Sequence, residues 1–205
     1  MLRVHHLRVG RALFTLWLIE ELGIDYELVL YDRNPKTFRA PPELREVHPL
    51  GKSPLIEDDG LLLSESGAIA AYLVDRYDTG NTLAPAHDDR TARAQWTQWL
   101  HYAEGSAVLP VMMKLLLKSE RDDAKLIDGF ATAELKLQFD YIANQLGDKD
   151  YLLGDHLQAP DIGVGYVISM AKNLGLTADH PSLEAYLKRL VSRPAFQAAK
   201  AKAGA

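Results

Sequence analysis

The spacing of apolar residues changes character once along this chain, near residue 80, and that change limits the folds open to it. Before it, short runs with a two-residue period alternate with helical patterns; beyond it only the 3.6-residue period of helices is found. Val4 to Leu7 is a short β-prone run, and after Arg8-Val9-Gly10 a helical pattern carries Leu13, Leu16, Trp17 and Leu22 and is closed by Gly23. Asp25 to Tyr31 then alternates Tyr26, Leu28 and Leu30 with Glu27, Val29 and Tyr31, as a half-buried strand does. Only a short helix, Pro42 to Val47, fits before His48-Pro49 stops it. Lys52 to Ile56, the turn Asp58-Asp59-Gly60 and Leu61 to Leu63 read as a hairpin. Ser64-Glu65-Ser66 opens a further helix, along which Ile69, Leu73 and Tyr77 recur every fourth residue. The expected order is βαβ, a short helix, then ββα.

Polar and turn residues from Asp78 to His87 mark a boundary, giving an α/β domain over 1–80, a linker at 81–88 and an all-helical domain over 89–205. In the second part a helix is expected from Arg90 to Lys118 with a kink at Pro110, where a backbone donor is missing. Further helices are expected over Asp123 to Leu146, Pro160 to Leu174 and Pro181 to Ser192, with a last short one from Pro194. Trp96 and Trp99 lie on a stripe that packs the core or a dimer contact.

Composition narrows the chemistry. The chain has no cysteine, so it offers no disulfide, no thiolate metal ligand and no cysteine nucleophile; any thiol it uses must come from a ligand. The formal charge of −5 and mixed signs advertise no face for nucleic acid. No apolar run approaches the ~20 residues of a membrane span, and the amino terminus has no secretory pattern, so a cytoplasmic location is expected. His5 and His6 are adjacent on a strand, point to opposite faces and chelate poorly; no metal site is expected, and structural or solvent-facing roles fit them better.

Two motifs go further. Leu50-Gly51-Lys52-Ser53-Pro54-Leu55, followed by Glu65-Ser66-Gly67-Ala68-Ile69, resembles the Gly-Lys-x-Pro strand entry and Glu-Ser helix start of the glutathione transferases. His5-His6-Leu7, Trp17 to Leu22, Tyr102-Ala103-Glu104-Gly105-Ser106 and Arg193-Pro194-Ala195-Phe196 resemble a bacterial subgroup, so the likeness spans the chain. The resemblance implies a thioredoxin-like first domain that binds glutathione as co-substrate, a helical second domain and a homodimer, with Trp96 and Tyr72 on helices that would serve it. It also implies a cis bond before Pro54, pairing of the Ser53 main chain with the ligand's cysteinyl backbone ahead of Leu55, and Lys52 on the glycyl carboxylate. Ser66, at a helix N-terminus, would take the γ-glutamyl carboxylate, and Glu65 the ammonium group or the shape of the turn. Tyr102 and Ser106, four apart, would line a pocket for a small hydrophobic electrophile.

The chain departs from the family where the thiol is activated. A Ser, Tyr or Cys is usual near the end of the first strand or the start of the first helix, and Gly10-Arg11-Ala12 has none. The helix end at Gly10, the charge of Arg11, or the hydroxyls of Tyr102 and Ser106 are the replacements the sequence offers. Gln158 stands where the family opens a capping box with Ser or Thr, so Asp161 must do more. The expected function is transfer of the glutathione thiol to small electrophiles. The alternatives are a glutathione or hydrophobe binder with little turnover, which the missing hydroxyl favours, and an interaction module, which Lys52 and Glu65-Ser66 argue against.

Overall fold

A computed structural model of the chain describes residues 1–118 and 124–204. The chain forms two compact units, Met1–Thr79 with Ser192–Ala205, and Gly80–Val191.

The first unit opens with β1 (Leu2–Leu7), α1 (Ala12–Leu22) and β2 (Tyr26–Tyr31), continues through α2 (Glu43–Val47), β3 (Leu55–Asp58) and β4 (Leu61–Ser64), and reaches α3 (Ser66–Tyr77). The four strands make one mixed sheet in the order β2-β1-β3-β4. β1 and β2 run parallel in register from Leu2↔Tyr26 to Leu7↔Tyr31, so both end at the same edge of the sheet. β3 runs antiparallel to β1, with His5↔Leu55 its last pair. Asp59 and Gly60 both have positive φ in the β3–β4 turn, the conformation that an Asp-Gly hairpin favours. Leu7, Leu44 and Leu55 cluster with Tyr31, Ala40 and Val47 and hold α2 in place. α1 is buried from Phe14 to Ile19 and packs against both β1 and α3. His5 and His6 are both buried, at 4% and 2% exposure, so neither faces solvent. The Oδ2 of Asp58, itself buried, accepts from the hydroxyls of Tyr72 (3.0 Å) and Tyr77 (2.6 Å), tying the hairpin to α3.

The second unit is all helical: α4 (Arg90–Tyr102), a π-helical turn (Ala103–Ala107), α5 (Val108–Leu117), α6 (Lys125–Leu146), α7 (Ala159–Asn173) and α8 (Pro181–Val191). The expected helix start at Asp123 lies outside the described residues. Asp89 caps α4, its Oδ1 accepting from the Ala92 amide at 3.0 Å. The helix expected to run from Arg90 to Lys118 is interrupted one turn before Pro110, by the π turn. Pro110 offers no amide to Ser106 and its ring crowds that residue's carbonyl, so the chain takes up one extra residue before the proline. Trp96 and Trp99 are 3% and 2% exposed, and the Trp96 indole donates to the Leu83 carbonyl at 2.9 Å. Trp96 is therefore part of the unit's own core, which corrects its expected place in a dimer contact. Asp161, fully buried, accepts from the amides of Leu152 (2.9 Å) and Gln158 (2.8 Å) and from the Tyr186 hydroxyl (2.6 Å). Asp161 thus holds the start of α7, its carboxylate accepting from the amide of the N-cap Gln158 as in a capping box.

The last helix, α9 (Pro194–Ala203), belongs to the first unit and not to the helical one, unlike the division expected at 81–88. It packs along α1. Phe196 meets the Trp17 ring edge-on at 5.1 Å, Arg193 grips Glu21 at 2.6 and 2.8 Å, and Lys202 reaches Glu20 at 2.6 Å. α1 is apolar on nearly every side and needs this second cover, a requirement that sequence order does not display. Among the described residues no helix is long and apolar enough to cross a membrane.

Candidate functional site

Antiparallel pairing brings the start of β3 to the end of β1, so the segment before Leu55 lies beside the β1–α1 loop. The Ser53–Pro54 bond there is cis. The Ser53 hydroxyl donates to the His5 carbonyl at 2.7 Å and accepts from the Leu7 amide at 3.0 Å. It takes over the ladder where the strands part, so the side chain is spent on the protein and what Ser53 offers a ligand is main chain. Pro54 and Leu55 are buried behind it.

Lys52 is exposed beside this segment. Gly51 before it has φ 56°, and a Cβ there would come to 2.6 Å of the Arg45 Cγ, so glycine lets Arg45 of α2 lie close against the turn. Two cations, Lys52 and Arg45, therefore flank one short stretch. Sequence reasoning found the first and missed the second; the glycine immediately before the lysine was its only trace.

The third piece is the start of α3. Its first main-chain bond runs from the Ile69 amide to the Glu65 carbonyl (2.9 Å), which leaves the amides of Ser66, Gly67 and Ala68 without acceptors inside the helix. No side chain caps this end and no acidic residue stands in its first turn. Such an end receives an anion through its N–H groups and dipole. Glu65, exposed at φ 71° and ψ 116°, turns the chain sharply into it. Holding a non-glycine residue there costs about 1–3 kcal/mol, and such strain gathers where function fixes the backbone.

The β1–α1 loop carries Gly10 and Arg11, both half-buried. Arg11 occupies the N-cap of α1 with no side-chain cap bond. A Cβ on Gly10 would stand 2.9 Å from the Nη2 of Arg33, a residue that sequence reasoning did not single out. The Arg33 Nε donates to the carbonyls of Arg8 and Val9 (both 3.0 Å), and Nη2 donates to Val9 at 2.7 Å. Behind the loop the buried His6 ring is held to about pH 4 for protonation by desolvation, against the pull of a bond to the Ala12 main chain.

In the helical unit Tyr102 ends α4 and Ser106 lies in the π turn. The Tyr102 hydroxyl donates to Gln138 Oε1 at 2.5 Å, and burial pushes its pKa up, with Tyr141 adding to the effect. Ser106 lines a cavity of 180 Å³ with Leu109, Phe130, Glu134 and Gln138. Gln138 thus joins the two residues, and the Tyr102 hydroxyl is already committed to it.

Residues 2–75 match the family model of the glutathione S-transferase N-terminal domain and residues 109–194 that of its C-terminal domain. A glutathione S-transferase of Saccharomyces cerevisiae is 32% identical over the whole chain and 96% of its own length. The crystal structure of one from Actinobacillus pleuropneumoniae superposes with a TM-score of 0.88 at 32% identity, covering 100% of this chain and 93% of that one. A family member from Pseudomonas fluorescens, solved with two glutathione bound, shares the fold at a TM-score of 0.81 and 23% identity over 97% and 91% of the two chains. With both domain models matched in order and a full-length relative above 30% identity, the chain belongs to the glutathione S-transferase family.

Proposed function

We propose that this chain is a glutathione transferase that binds glutathione on its first unit and transfers the thiol to small hydrophobic electrophiles. The observation that carries the reading is the convergence, in one unit, of the cis Ser53–Pro54 segment beside β1 and the uncapped terminus of α3. In this reading Ser53, Pro54 and Leu55 present main chain to the cysteinyl part of the tripeptide as an added strand would. Lys52 meets the glycyl carboxylate, Ser66 and the α3 amides take the γ-glutamyl carboxylate, and Glu65 faces the ammonium group. Gly10 and Arg11 form the thiol end, and Tyr102 and Ser106 contribute to the electrophile pocket. No metal enters the scheme. The enzyme would work in the cytoplasm, in detoxification, as a homodimer.

Titration calorimetry with millimolar glutathione tests the reading: binding in the micromolar to millimolar range is expected, and no heat with the folded protein would end it. A binder without useful turnover is the second reading, favoured by the absence of a hydroxyl at Gly10 and Ala12. Conjugation of an aryl halide at rates no higher than the uncatalysed reaction, with glutathione bound, would select it.

A further inference from the structure

β1 and β2 are parallel and end together, so the residues that follow them lie side by side; the Arg8 amide donates to the Tyr31 carbonyl at 3.0 Å. Arg33, two residues past the end of β2, uses this proximity to fold its guanidinium over the β1–α1 loop. Four bonds of 2.7 to 3.0 Å fix it, to the carbonyls of Arg8, Val9 (twice) and Phe38, and its Cζ lies 4.8 Å from the centre of the Phe38 ring. The loop it grips is strained, with Val9 at φ 56°, a conformation that β-branched residues avoid. Nη2 lies where it would be 2.9 Å from any Cβ at position 10. Glycine at that position is therefore what admits the cation to the loop. The end of α1 next to it has no acidic residue in its first turn, so its dipole adds to the guanidinium's charge.

We propose that Arg33 supplies the positive charge that stabilises the thiolate of bound glutathione, in the space a hydroxyl-bearing side chain at position 10 would need. The inference rests on the glutathione reading above. The thiol proton leaves to water, and the guanidinium lowers the cost of the charge left on sulfur. A full charge held by four bonds is a stronger device than the helix end alone, and the Arg33 guanidinium is seated against Gly10. A consequence is that Gly10→Ser would not simply restore a family hydroxyl: its Cβ would have to push Arg33 aside.

The absence of cysteine permits a test that does not need glutathione. Val9→Cys, at an exposed position that already carries a Cβ, places a single thiol on the loop that Arg33 holds, and its alkylation rate by iodoacetamide against pH reads its pKa in the full chain. That value is expected below the usual ~8.5, to rise by about one unit, a tenfold loss of thiolate at neutral pH, when Arg33→Gln is added, and to return with Arg33→Lys. In the chain without the added cysteine, the thiolate absorbance of bound glutathione should shift the same way with Arg33→Gln while its dissociation constant changes less than threefold. This second measurement decides the matter if Val9→Cys does not fold. Arg33→Gln without effect on either thiol, or Arg11→Gln shifting them more, overturns the assignment of Arg33. A wild-type chain that binds no glutathione while Arg33 still governs the introduced thiol overturns the ligand reading and leaves the charge assignment standing.

Discussion

At the scale of single residues, the proposed site combines groups already spent on the protein with groups left for a ligand. Ser53 gives its hydroxyl to β1, whereas Lys52 is exposed and the α3 start has no side-chain cap. Lys52→Ala and Ser66→Ala should each weaken glutathione binding by about 1–3 kcal/mol, the range of a charge-assisted contact; calorimetry showing both unchanged would displace the proposed site. His6 lends itself to a different measurement. Its folded pKa, about 4, lies below the ordinary 6.5, because burial disfavours the charged ring. Between these values the unfolded chain binds the proton and the folded one does not, so stability is full above pH 6.5 and falls as pH drops toward 4, by up to about 3 kcal/mol. His6→Leu should flatten that slope in urea unfolding followed from pH 7 to 4; an unchanged slope would assign it to other groups. The histidine was visible in the sequence, but its surroundings were not: neighbouring His5 reads alike and is equally buried, yet it is bonded to Glu57 (2.7 Å) and Tyr31 (2.8 Å).

Elements are held by a few such residues. Asp161 gathers the Leu152 and Gln158 amides and the Tyr186 hydroxyl in a buried place, where burial raises its own pKa against those bonds. Asp161→Ala would strand three buried donors and should cost about 3–5 kcal/mol of unfolding free energy. A loss under about 1 kcal/mol in urea denaturation would mean that water replaces the carboxylate. The sequence announced this role through Asp161 itself, three residues past the N-cap Gln158, where a capping box has its acceptor. The break between α4 and α5 was announced too, by Pro110, but its form depends on how the preceding turn absorbs the missing bond.

For the molecule as a whole, Trp96 and Trp99 are withdrawn into the helical unit, so a dimer contact would have to use other surface. Leu109, Leu116, Phe130 and Leu137 on α5 and α6 are each more than half exposed, and Leu61 and Leu62 on the edge strand β4 are about 40% exposed. A second copy covering such groups would remove apolar area from water at about 25 cal/mol per Å². Light scattering at tens of micromolar should then give twice the chain mass of 22.8 kDa; the single-chain mass would count against the proposed homodimer.

The order of strands and helices, the Asp-Gly hairpin and the two motifs around Pro54 and Ser66 were legible in the sequence, because local periodicity and turn chemistry act between near neighbours. So was the absence of a hydroxyl in the β1–α1 loop. Three features arose only from folding. α9 joins α1 across more than 170 residues through Arg193 and Glu21; Arg45 lies against Gly51; and Arg33 comes to Gly10 because two parallel strands end at one edge. Each is a meeting of side chains distant in sequence, set by sheet topology and close packing, and no local pattern encodes such a meeting.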